Sequence, residues 1–117
     1  MGLHQFEENE CVLTTQRHCA CVEFILGNGE RHGFQASQLL HYRLETQESD
    51  NGQPPDSLMI AFATADVRLT GWSLDRIADH IRDGNLLAVR VLTGRYANLN
   101  RPKPHVTSMS ITQLEKE

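Results

Sequence analysis

The sequence is short of diagnostic features. No run is long and apolar enough to span a membrane, and no basic stretch followed by an apolar one opens the chain. Neither a membrane partner nor a secretory leader is therefore expected. Cysteine is scarce and odd in number, three in 117 residues. That argues against a disulfide framework and for a reducing, cytoplasmic setting. No G-x-S-x-G elbow presents a nucleophile. No glycine loop carries the Lys and Ser/Thr of a P-loop, because Gly27-Asn28-Gly29 precedes a strand rather than a helix. Ribonucleoprotein signatures, internal repeats and low-complexity tracts are missing too. No cofactor is expected.

One absence is local. Between Gly84 and Leu114 there is no acidic residue, only Arg90, Arg95, Arg101 and Lys103 among charged side chains. Met1 to Asp83 carries six Arg against thirteen acids, about −7; Gly84 to Glu117 carries five basic residues against two acids, about +3. The formal total of −4 disfavours general nucleic-acid binding. The asymmetry suits an anionic ligand, or a second subunit whose acidic half meets this basic one.

What is present is a pattern of short strands around one helix. Val67 and Leu69 alternate with Arg68 and Thr70, the period of a half-buried strand. Leu74, Ile77, Ala78 and Ile81 then fall at i, i+3, i+4 and i+7, an apolar stripe that predicts a helix over 74–83. Ser73 stands at its N-cap, Trp72 and Ile77 at staple positions, and Gly84 at its C′ end. A helix so short requires a sheet to lie on. Leu86 to Leu92 reads as the next strand, with Leu87, Val89 and Val91 on one face. If strands intervene between these two, the helix covers an antiparallel sheet rather than making a parallel crossover, and the hairpins elsewhere favour that topology.

Upstream, a short strand is expected near Cys11 to Thr14. Ala20, Val22, Phe24 and Leu26 share one parity and should face the core. Asn28-Gly29 signals a hairpin returning through Glu30 to Gln35. Ala36 to Leu40 reads as a turn, and Leu40 to Thr46 as a strand with Leu40, Tyr42 and Leu44 in phase. Leu58 to Ala65 is a strand whose phase is opposite to that of Val67 and Leu69, so a bulge is predicted near Ala63 to Asp66. Val106 to Thr112 reads as the last strand. The fold class is thus α+β: a mainly antiparallel sheet of about six or seven short strands, open or curled into a small barrel, with one helix on one face. One domain spans 1–117, with a loose N-terminal segment 1–10, a mobile loop 47–57 and a C-terminal tail 113–117.

Three chemical leads remain. Cys19 and Cys21 would share a strand face, with Cys11 or His4 as a further ligand, but metal sites space paired cysteines more widely. No metal is expected. His41 and Asp66 would line a cleft in a small enzyme, or simply be solvated sheet residues. The loop 90–105 holds Arg90, Arg95, Tyr96, Arg101, Lys103 and His105, which suit a phosphorylated ligand or nucleic acid. On balance the chain reads as a bacterial binding or assembly module, a homodimer or higher oligomer, rather than an enzyme.

Overall fold

The computed structural model describes residues 6, 10–16, 20–48, 52–92 and 103–114. Among them are eight strands and one α-helix: β1 (Val12–Thr14), β2 (Cys21–Ile25), β3 (Arg31–Gln35), β4 (Leu39–Thr46), β5 (Asp56–Phe62), β6 (Ala65–Trp72), α1 (Asp75–Asp83), β7 (Leu86–Arg90) and β8 (His105–Gln113). A short 3-10 turn at Ala36–Gln38 joins β3 to β4. The strands form two four-stranded sheets, ordered β1-β7-β2-β3 and β4-β5-β6-β8. The α+β class holds, with more strands than expected and two unclosed sheets rather than one sheet or a barrel. All pairings are antiparallel except β2 with β7.

One core is shared by both sheets. Val22, Phe24, Leu86 and Val89 come from the first, and Leu58, Ile60, Phe62, Val67, Leu69 and Val106 from the second. The parity predicted for β2 is seen at Val22 and Phe24; Leu26 is half-buried and Ala20 exposed. α1 is preceded by β6 in one sheet and followed by β7 in the other. It touches both β7 and β4, so it braces the two sheets. Leu74 and Ile77 are fully buried and Ala78 nearly so, while Ile81 is only partly covered. Burying Leu74 and Ile77 contributes roughly 1.5–3 kcal/mol each, which is why so short a helix persists.

The start of α1 departs from the sequence reading. Its N-cap is Leu74, and Ser73 takes φ 58°, the left-handed region. Acceptance comes from a distant residue instead. Asp56, at the head of β5 and only 7% exposed, takes the Leu74 N–H on Oδ2 at 3.0 Å. Its Oδ1 takes the Thr46 hydroxyl at 2.9 Å. The one-residue shift also removes Trp72 and Ile77 from staple positions; Trp72 stays in β6 and sets its ring edge-on to His105 at 5.9 Å. The far end of the helix follows expectation: Gly84 sits at φ 74° and its N–H bonds the carbonyls of His80 and Ile81.

Three further boundaries move. No bulge lies at 63–66; β5 ends at Phe62, Ala63 and Thr64 turn the chain, and β6 pairs back with Ile60 opposite Val67. The irregularity of β4 lies between Leu39 and His41, and it leaves Leu40 64% exposed. Asp56 and Ser57 belong to β5, not to the preceding loop, whose residues 49–51 lie outside the described set. Gln113 likewise belongs to β8, and 115–117 lie outside, as do 1–5 and 7–9 of the N-terminal segment.

Candidate functional site

The sheets leave a cleft of about 800 Å³ between β2, β5 and the C-terminal end of α1. Three of the four phenylalanines shape this region. Phe34 of β3 stacks on Phe62 of β5 with centroids 4.4 Å apart and planes at 11°, and Phe24 meets both edge-on at 6.0 Å. Phe24, Phe62, Val22, Ile60, Leu86 and Ile81 line the interior. Val22, Phe24, Ile60 and Phe62 face one another because they occupy the inward parity of β2 and β5, and Ile81 joins them from the stripe of α1. A volume of this size, mostly apolar within, is typical of sites for small organic molecules.

The mouth is polar. It carries Cys21, Gln35, Ser37, His80 and Arg82. Arg82 is exposed and already matched by two carboxylates: Nε lies 3.1 Å from Asp83 Oδ1, and Nη1 3.7 Å from Asp79 Oδ1. Its hydrogen bond to Asp83 pushes the guanidinium pKa up, so it stays charged. His80 Nδ1 contacts Asn85 Oδ1 at 3.2 Å. The one arginine at this mouth is thus paired with carboxylates of its own helix.

The residues singled out from sequence lie elsewhere. Of the loop 90–105, Arg95, Tyr96 and Arg101 fall outside the described residues. Arg90 and Lys103 meet at Glu10: Arg90 Nε donates to its backbone oxygen at 2.8 Å, and Lys103 Nζ lies 3.8 Å from its carboxylate. Arg90 also stands 4.5 Å over the Phe6 ring. Lys103 and Glu10 border a smaller recess of about 210 Å³, where the acid offsets the base. His105 is 6% exposed and packs on Trp72 of β6, where the residues just before β1 and just after β7 reach the start of β8. There Cys11 Sγ accepts the Val106 N–H at 3.2 Å, and the Leu92 N–H bonds the Val106 carbonyl. Burial pushes the Cys11 thiol up, which keeps it protonated and unreactive.

His41 of β4 and Asp66 of β6 both register with Ala61, so they share the outer face of their sheet about 10 Å apart. Ile60 and Phe62, which alternate with Ala61, face the cleft on the other side. Cys21 is exposed while Cys11 is buried, and Cys19 lies outside the described residues. Among the described residues, no three His, Cys, Asp or Glu side chains gather within metal-binding reach. Nor is any helix among them long and apolar enough to cross a membrane. The cleft leaves no trace in the sequence, because its lining residues have the same apolar signature as packed core.

Burial lowers the His105 pKa, and a hydrogen bond with the Leu92 backbone pulls it back more weakly. Below about pH 6.5 the unfolded chain gains a proton at this residue that the folded chain resists. Stability from this group is therefore complete above that pH and falls as pH drops toward the folded value. Urea titrations between about pH 7.5 and 5 should show a smaller loss of stability in His105→Phe than in the parent chain. Equal slopes would remove His105 from the acid response.

Comparison of the chain with protein-family models, curated proteins and solved structures finds no match.

Proposed function

We propose that this chain is a binding module whose inter-sheet cleft takes a largely apolar small molecule. The single observation behind this reading is the cleft of about 800 Å³, walled by Phe24 and Phe62 and opened to solvent beside α1. The ligand class follows from the lining. Apolar side chains supply the affinity, and the Ser37, Gln35 and His80 edge accommodates one polar end.

The test is a titration with an environment-sensitive apolar fluorophore, anilinonaphthalene sulfonate, against the parent chain and Ser37→Trp. Ser37 is exposed at the mouth, so an indole there should obstruct entry without disturbing the core. Saturable binding with one site per chain is expected, weakened about tenfold or more by the substitution, a loss of about 1.4 kcal/mol. No saturable binding by the folded parent, or equal affinity in both chains, would overturn the reading.

A further inference from the structure

We propose that β8 is a docking edge for a second copy of this chain, which adds its own β8 antiparallel and joins two four-stranded sheets into one. β4 and β8 are the outer strands of the second sheet, and they differ in protection. β4 displays His41, Arg43 and Glu45, and it is irregular between Leu39 and His41. Charge and irregularity of this kind deter strand addition. β8 has no Asp, Glu, Lys, Arg or Pro from His105 to Gln113. Its register shift against β6 comes early, opposite Thr70 and Gly71; from Ser108 to Gln113 the pairing with β6 is unbroken. Among the described residues no strand pairs its other side, so a straight row of backbone donors and acceptors faces outward.

The strand's own chemistry selects the occupant. Its alternation is nearly symmetric about Ser110. Met109 and Ile111 lie one residue to either side, Ser108 and Thr112 two, Thr107 and Gln113 three. An antiparallel pair centred on Ser110 would set Met109 against Ile111 of the second copy on the core face. Ser108 would stand opposite Thr112 on the outer face. Apolar meets apolar and hydroxyl meets hydroxyl, the cross-strand matching that stabilises a sheet. Met109 and Ile111 are only half-buried against the core and would be covered from the open side. The nearest charge in register with Ser110 is Arg68 on β6. Across the two-fold axis the two Arg68 positions are three strand spacings apart, about 14 Å, beyond the screening length at physiological salt.

Light scattering on the full chain, at concentrations up to about 1 mM, reads the association. A dimer mass is expected, falling to the monomer in Ser110→Lys, where two ammonium groups would meet at the axis. Leu40→Lys on the other edge should leave the dimer intact. In a background with Cys19 and Cys21 changed to Ser, oxidised Ser110→Cys should cross-link to itself at least about tenfold more than Thr112→Cys, whose two copies would be too distant for a disulfide. The proposal is overturned by a parent chain that stays monomeric. It is equally overturned by a dimer that survives Ser110→Lys or is lost in Leu40→Lys, or by equal cross-linking at the two positions. None of these outcomes bears on the cleft.

Discussion

Gly71→Ala is expected to lower stability by at least about 2–3 kcal/mol, a large part of what a domain of this size possesses. The cause is backbone crowding. A methyl group at Gly71 would lie 1.9 Å from the His105 carbonyl oxygen, 2.9 Å from its carbon and 3.0 Å from the Val106 Cα. None of these atoms is the free end of a flexible side chain, so relief requires β6 and β8 to part. The crowding falls where the register skips Thr107: Thr70 pairs with Ser108, yet Gly71 pairs with Val106. The Thr107 hydroxyl ties the skipped residue to the Thr70 carbonyl at 3.0 Å. Thermal unfolding should show a midpoint lowered by roughly 10 °C or more. A shift within about 2 °C would mean that the strands are not packed this closely.

The second large effect is expected at Asp56. Asp56→Ala would leave the Leu74 N–H without its acceptor in a position where Leu74 is fully buried, and would free the Thr46 hydroxyl. An unmet buried donor costs about 1–3 kcal/mol, and loss of hydrogen bonds to a charged acceptor raises the total to about 2–4 kcal/mol. Asp56→Asn should recover much of this, since its amide can still accept from Leu74 and donate to Thr46. Urea midpoints give the ranking, parent above Asn above Ala. Hydrogen exchange gives the location, because the Leu74 amide should lose protection most. If Ala and Asn are equally stable, the carboxylate is not the acceptor that starts α1.

These two sites show where sequence reading succeeds and where it stops. The stripe of α1, its stop at Gly84 and the β2–β3 turn at Asn28-Gly29 were legible because each is a local rule written within a few residues. The cap of α1 was not legible, since Asp56 lies 18 residues before Leu74 and only the fold brings them together. The change of phase after Phe62 predicts a bulge from parity alone, whereas the chain makes a turn at Ala63 and Thr64. A two-residue hairpin inverts the phase just as a bulge does, and register alone separates them. β6 and β7 flank one helix in sequence, yet they fall in different sheets. That choice rests on long-range pairing of β7 with β1 and β2, which no local pattern announces.

The candidate site was the least legible part. Parity points Val22 and Phe24 inward, and they are buried, as are Ile60 and Phe62. Whether inward-facing side chains fill the interior or leave a space depends on how two sheets and a helix meet. The basic loop drew attention because charge is visible in a sequence, whereas a cavity is not. Its described members instead show internal partners, Arg90 and Lys103 at Glu10 and His105 at Trp72.

Methyl-resolved NMR of the parent chain during titration with anilinonaphthalene sulfonate tests the cleft most directly. Shifts should concentrate on Val22, Ile60, Ile81 and Leu86, which line it, while Val67 and Leu69, buried in the same core but outside the lining, stay in place. Changes spread evenly over both groups, or confined to methyls outside the cleft, would contradict the assignment of this space as the binding site.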